Sequence, residues 1–349
     1  MNTRLLASSA LRAESPGLWT LAWRRFKRDR LGVFSLIVVA FFLALALASA
    51  TGLIASDWAR EVGVSYAPPA FIGPDESLTQ GPGALGSDEA TQAQAPSSIV
   101  DPLAEDLAQL WKELAGASTT SVRAPTLPFG GDKWGRDVLR KVIKGTETSL
   151  LVGLTAAALA TFFGTLFGAQ AGYFGGRVDD FFNWLYSVFT SIPYLLLILA
   201  IAAVLNQKGT TTVVLILGLT GWTGIFRLVR AEYLKHKVRE YVQAADAVGA
   251  SDARRMFVHI LPNVSHVVLV QMSLHVVLFI KSEVILSFLG FGVGVETVSW
   301  GSMLNEAQSE LLLGKWWQLA AATAAMATLI TAFSLSTDAV RDALDPRLK

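Results

Sequence analysis

Apolar and polar positions alternate along this chain in long blocks. Residues 31–56 are apolar throughout, 26 positions without a charge. Five further apolar blocks follow, at about 147–172, 182–205, 212–230, 264–290 and 317–337. A helix needs about 20 apolar residues to cross a bilayer core. The pattern therefore predicts an all-α polytopic membrane protein with six transmembrane helices. The first block is longer than the apolar core of a secretory signal, about 7–15 residues. It is expected to stay uncleaved, although Ala48-Ser49-Ala50 mimics a cleavage site.

The polar stretch at 227–263 stands between two apolar blocks. It predicts a helix, a break at Gly249, a second short helix and a restart at Pro262. Ala244 and Ala245 lie beside Gln243, where their small side chains would let another protein surface come close.

Residues 57–130 have a different character. They are rich in Pro, Gly, Ala, Ser and Gln, with ten acids against three bases and one helix-like piece at 101–115. A long insert of this kind is either a small cap on an aqueous face or a disordered linker. Residues 132–144 carry five bases and predict a helix lying at the membrane interface. Residues 1–30, with seven Lys/Arg and two acids, end in a basic amphipathic segment suited to anionic headgroups.

The second apolar block, GLTAAALATFFGTLFGAQAG at its centre, is full of small residues. Small residues let helix backbones approach in lipid, so this is expected to be a central helix. Gly175-Gly176 predicts a tight turn. Pro193 falls inside the third block and should kink it.

Composition sharpens this picture. The chain is 52% hydrophobic and 16% charged, against about 25% charged in soluble proteins. The absence of cysteine excludes disulfides, thiolate metal sites and cysteine catalysis. With six spans, both termini share one side. That side carries 18 Lys/Arg and the other 10, with Lys281 inside a span. The positive-inside bias makes the termini and the 227–263 loop cytoplasmic and puts the acidic insert outside.

Candidate chemistry is sparse. No G-x-x-x-x-G-K-[ST] is present; Gly314-Lys315 is followed by Trp316 and lacks the upstream glycine. His259, His266 and His275 are spaced seven and nine apart and do not converge on a metal. Lys281 and Glu283 lie within the fifth block. Charges in lipid are expensive, so both should face protein or water. At i and i+2 they point to different helix faces and are a poor pair. Glu283 reads as a pathway carboxylate or, preferably, as a polar lock between helices. Gly290 and Gly292 end that span as a glycine hinge. Trp300, Trp316 and Trp317 suit an aromatic belt.

Four motifs carry a resemblance. They are Gly135-Arg136-Asp137-Val138-Leu139; the loop Gln243-Ala244-Ala245, Gly249 and His259-Ile260-Leu261-Pro262; Ser287-Phe288-Leu289-Gly290-Phe291-Gly292 with Ser299-Trp300-Gly301; and Arg341-Asp342-Ala343-Leu344-Asp345-Pro346. In this order they resemble the second permease subunit of dipeptide/oligopeptide/nickel-type ABC importers, over about 200 residues from Asp132. The loop is similar to that family's EAA loop, with Gln243 for the leading Glu and His259 at a usually hydrophobic position. Glu283 falls where peptide-type permeases carry a Glu, and the resemblance makes Gly290, Gly292 and Trp300 candidates for an outer gate and docking rim.

The resemblance implies a type I importer permease fold in a bacterial inner membrane. It implies no cofactor on this chain, with ATP and Mg on partner subunits. The implied partners are a paralogous permease, two cytoplasmic ATPases, an extracytoplasmic substrate-binding protein and lipid, with no nucleic acid. Small peptides are the default cargo, and nickel complexes or another small solute are the alternative. The 57–130 insert is longer than the resemblance leads one to expect. An ion-coupled secondary transporter using Glu283 and Lys281 is a different class; it would more readily show paired broken helices in two repeats. A membrane enzyme would need facing catalytic groups that the sequence does not offer.

Overall fold

The computed structural model describes residues 23–74, 123–294 and 296–344. Helix α1 spans Arg30–Ala50 and starts at Asp29, whose carboxylate accepts from the Leu31 N–H at 3.0 Å. It stops six residues short of the apolar block, in turns through Gly52. Before it, Phe26 is buried against Ala339 and Ala343 near the far end of the chain.

Helix α2 spans Val138–Phe174 and is the centre of the bundle. Gly164, Gly168 and Gly172, four residues apart, share one face. A Cβ at these positions would come within 2.6–2.8 Å of the carbonyl oxygens of Trp222, Phe226 and Arg230. The neighbouring helix therefore rests on the α2 backbone itself. Farther up, Gly153 admits the Ile280 side chain in the same way. Leu150, Ala156 and Ala160 form the core with Leu217, Phe279 and Leu286.

The third apolar block is two helices rather than one kinked span. They are α3 (Gly176–Thr190) and α4 (Tyr194–Leu205), bent by 83°. Pro193 has no N–H to continue the ladder and precedes the first residue of α4. Asp179 grips Arg230 through two hydrogen bonds of 2.5 and 2.6 Å, which ties α3 to the opposite helix.

The next span is α5 (Thr210–Thr220) followed by α6 (Thr223–His236). A polar segment holds α7 (Glu240–Ala247), the short α8 (Asp252–Arg254) and a π-helical turn (Arg255–Ile260). Helix α9 (Leu261–Phe288) continues from that turn without a break, and α10 (Trp300–Leu312) and α11 (Trp317–Leu344) complete the chain. Among the described residues five helical spans are long and apolar enough to cross a membrane, or six with α3–α4 counted as one.

The expected restart at Pro262 is absent. Pro262 sits where the π-helical turn passes into α9, and the wider π turn accommodates a residue that has no N–H to donate back along the helix. The expected interfacial helix at 132–144 is also corrected. Asp132 accepts from the N–H groups of Trp134 and Arg136, both at 2.9 Å, making a turn, and α2 then begins at Val138 with Asp137 as its cap. The described ends of the insert pair with each other through the bridges Gly63↔Ala124 and Pro69↔Leu127, and Ala67 and Leu127 are buried between them. The expected helix at 101–115, most of residues 1–30 and the tail beyond 344 lie outside the described residues.

Candidate functional site

The polar segment after α6 folds into a hard-edged loop. In α7, Val242 packs on Tyr233, Met256 and Ile260, and Ala245 is buried on the same side. Gly249 then takes φ +79°, with its N–H bonded to the Asp246 carbonyl at 2.8 Å. A Cβ there would meet nothing within 4 Å, so the need for glycine lies in the backbone and not in space. Ser251 caps α8 by accepting from the Arg254 N–H.

Side chains lock the loop to the bundle. Arg255 pairs with Asp246 and, at 2.6 Å, with Asp252. The Tyr173 hydroxyl at the end of α2 donates to Asp252 at 2.8 Å, and the buried Tyr233 hydroxyl to the Met256 carbonyl at 3.0 Å. The loop is thus fixed to α2 and α6.

The sequence-predicted loop residues divide. Gln243 and Ala244 are exposed, Leu261 is partly covered and Pro262 is exposed. Ala245 and Ile260 face inward, so only Ala244 of the alanine pair is open to a partner. The sequence pattern missed the most prominent group. Val248 is 84% exposed, and Phe257 and Val258 are exposed nearby. The three-residue spacing from Val242 and Ala245 puts Val248 on the buried face. The helix ends one residue too early for that, and Val248 points out.

A second polar group lies inside the bundle. Glu283 of α9 is fully buried. It accepts from Ser149 Oγ of α2 at 2.8 Å and from Ser287 Oγ at 2.7 Å. Ser149 Oγ also accepts weakly from the Trp300 N–H at 3.4 Å, so α2, α9 and α10 meet at this carboxyl. Lys281 is not part of the group. It is exposed on the stripe of Leu274 and Leu278, with no carboxylate in reach among the described residues.

Trp300 is fully buried and cannot form a rim or belt. Its Nε1–H donates to the Val142 carbonyl at 3.2 Å, and its ring meets Phe42 edge-on. Gly290, at φ +85°, ends α9, and a Cβ on Gly292 would strike Ser287. These glycines fold the chain back tightly over the serine that holds Glu283. Trp316 is exposed, and Trp317 is buried with its Nε1–H on the Gly131 carbonyl at 2.7 Å.

The end of the bundle opposite the loop carries a buried ion cluster. Lys141 Nζ lies 2.8 Å from Asp132, 2.6 Å from Glu306 and 3.1 Å from Gln318 Oε1. Glu310 stands beside it. Burial outweighs the nearby Lys141 charge and pushes the Glu310 carboxyl up to about 7.

The family model described as "Binding-protein-dependent transport system inner membrane component" matches residues 164–349. A second, "N-terminal TM domain of oligopeptide transport permease C", matches residues 17–69. The dipeptide transport system permease protein DppC of Bacillus subtilis is 38% identical over 221 residues, 63% of this chain and 69% of that protein. The oligopeptide transport system permease protein OppC of the same organism is 35% identical over 221 residues, 63% and 72%. The dipeptide permease DppC of Lactococcus lactis is 28% identical over 337 residues, 93% of this chain and 90% of its own length. That last match leaves out too little of the chain for residues 57–130 to lie outside it.

Proposed function

The chain belongs to the binding-protein-dependent inner membrane component family of transport permeases, and from that premise we propose that it forms half of an ATP-driven import pathway for small peptides. In this reading it pairs with a paralogous permease and docks two cytoplasmic ATPases, which carry the ATP and Mg. It receives cargo from an extracytoplasmic binding protein. Both termini and the 237–260 loop face the cytoplasm, as the Lys/Arg bias favours. The peptide class is supported by the names of the relatives, which transport dipeptides and oligopeptides.

The observation that carries the coupling role is the tip of the loop. Ala244 and Ala247 are exposed on a helix whose other face is anchored to the bundle, and Val248 projects from the turn just after it. Exposed apolar groups on a rigid support mark a protein contact. Glu283 serves as the polar lock of the bundle, since its burial and serine partners leave a passing solute no access.

The test is co-purification and uptake together. Tagged chain should recover two ATPase subunits and a second permease, and cells with the complex should accumulate labelled dipeptide on ATP. Val248→Asp should reduce ATPase recovery several-fold with normal membrane insertion. Full recovery with that variant would remove the docking role. Uptake driven by an ion gradient without ATPases would replace the importer reading with the secondary-transporter one.

A further inference from the structure

A cavity of about 170 Å³ opens at the end of the bundle opposite the coupling loop. Arg136, Lys141, Lys208, Ser302, Asn305 and Glu306 are among its walls. Three cations therefore face one carboxylate. Lys141 is already neutralised by Asp132 and Glu306, within 2.8 and 2.6 Å. Glu306 is engaged in the same pair. Arg136 and Lys208 have no carboxylate within 4 Å among the described residues. Two nearby acids are committed elsewhere, Asp57 to Arg140 and Glu61 to Arg123.

Arg136 is the more telling of the two. Its guanidinium stands over the Trp58 ring at 5.6 Å and the Trp134 ring at 6.0 Å. Its buried Nε has no hydrogen-bond partner among the described residues. A buried donor without an acceptor is costly, and such cases ask for an explanation. The two indoles hold the guanidinium by cation–π attraction and leave its Nε–H for an acceptor. Arginine held this way is suited to a carboxylate by paired hydrogen bonds. The cavity has the volume of about six liquid waters at about 30 Å³ each. That is room for a terminal residue and its carboxylate, not for a long peptide.

We propose that this cavity is a receiving subsite for the C-terminal carboxylate of an incoming peptide, held between Arg136 and Lys208. The inference rests on the peptide-import reading above and adds the residues that engage the cargo at the outer mouth. Lys208 lies just before α5 and is exposed, so it supplies long-range attraction. Arg136, preset by its two indole neighbours, supplies geometry.

The experiment uses the whole transporter in lipid nanodiscs without the binding protein. The probes are dialanine and dialanine amide, which differ only in the terminal charge. Binding is followed by calorimetry or saturation-transfer NMR. Dialanine should bind at least tenfold tighter than its amide. Lys208→Gln and Arg136→Gln should each lower dialanine affinity several-fold and leave the amide unchanged. Assembly with the ATPases should persist in both, and Lys208→Gln, at an exposed position, keeps the test valid if Arg136→Gln folds poorly.

Equal binding of acid and amide, or variants that leave dialanine affinity intact, would overturn the subsite. So would the absence of dialanine binding together with loss of binding-protein-stimulated ATPase in the variants; the cavity would then accept a carboxylate of the docking protein. Cellular uptake separates the two readings. A wild-type complex that imports no peptide removes the importer proposal. One that imports dialanine with unaltered variants removes only the subsite.

Discussion

The Ser149 hydroxyl on the central helix donates to the Glu283 carboxyl at 2.8 Å, joining two spans far apart in sequence at a point sealed from solvent. Ser287 donates to the other oxygen at 2.7 Å. Glu283→Gln keeps an acceptor oxygen and the volume, and should retain assembly and most uptake. Glu283→Leu leaves two buried hydroxyls without their acceptor, at a cost of about 1–3 kcal/mol. It should lower the thermal transition of the complex and the yield of assembled transporter. Loss of uptake at every pH in Glu283→Gln, with assembly intact, would make Glu283 a proton-linked group and not a lock.

Lys141 sets a second expectation. Removing one member of a buried ion cluster leaves the others uncompensated, typically about 3–5 kcal/mol. Lys141→Met should therefore destabilise strongly, because Asp132 and Glu306 both lose their cation. Glu310 adds a pH dependence. Lys141, Asp132, Glu306 and the Lys133 N–H face it, and its Oε2 has no hydrogen-bond partner among the described residues. Its folded carboxyl titrates near 7, above the ordinary 4.5. Folding then favours the protonated form. The stabilisation is complete below about 4.5 and is lost as pH rises through 7. Thermal unfolding of the complex between pH 5 and 8 should fall with pH, and Glu310→Gln should flatten the slope. An unchanged slope in that variant would place the titration elsewhere.

The α2–α6 contact offers a packing test. A Cβ on Gly168 would sit 2.8 Å from the Phe226 carbonyl oxygen and 2.9 Å from the Val229 Cβ. Neither is the end of a flexible side chain. Gly168→Val should push the helices apart and prevent assembly, whereas Leu151→Ala, at an exposed position of the same helix, should be tolerated. Protease resistance of the inserted chain is the readout, and a resistant Gly168→Val would show that the helices can shift.

These cases mark what the sequence discloses. Span number, the small-residue face of α2 and the left-handed glycine at 249 follow from local rules of length, size and φ. The bend at Pro193 is legible as a break, but its 83° comes from what α3 and α4 each pack against. Lys141 looks like one of five interfacial bases because its partner Glu306 is 165 residues away. Trp300 looks like a belt residue because nothing local reveals that Phe42 and Val142 enclose it. Val248 looks buried because helical period says nothing of where the helix stops.

The backbone at Gly249 gives a clean coupling test. At φ +79° a β-branched residue is strained by about 1–3 kcal/mol, though among the described residues its Cβ would meet no atom beyond its chain neighbours within 4 Å. Gly249→Val should re-aim Val248 and lower ATPase recovery and transport, with membrane insertion unchanged. Gly249→Asn, which tolerates the left-handed region, should be intermediate. Equal ATPase recovery in all three proteins would detach this turn from coupling.

Lys281 poses the last question, that of what covers the open face of α9. A lysine in hydrocarbon costs about 2.5–3.5 kcal/mol on insertion scales. It lies on a stripe otherwise formed by Leu274 and Leu278, seven residues before the end of the helix at Phe288. At 1.5 Å per residue that is about 10 Å below the helix end, deep for a side chain reaching toward the headgroups. The face should therefore meet a water-filled pathway or a partner in the assembled transporter. The chain has no cysteine, so Lys281→Cys introduces a single thiol. A charged, membrane-impermeant thiol reagent should label it in the assembled complex within about tenfold of the rate for Lys208→Cys at the exposed mouth, since thiolates react only where water reaches them. Phe41→Cys, on the exposed apolar side of α1, is the lipid-facing control and should stay unlabelled. Transported peptide should slow labelling at Lys281→Cys if the face lines the pathway. Labelling as slow as the Phe41→Cys control would return Lys281 to lipid and remove it from the route of the cargo.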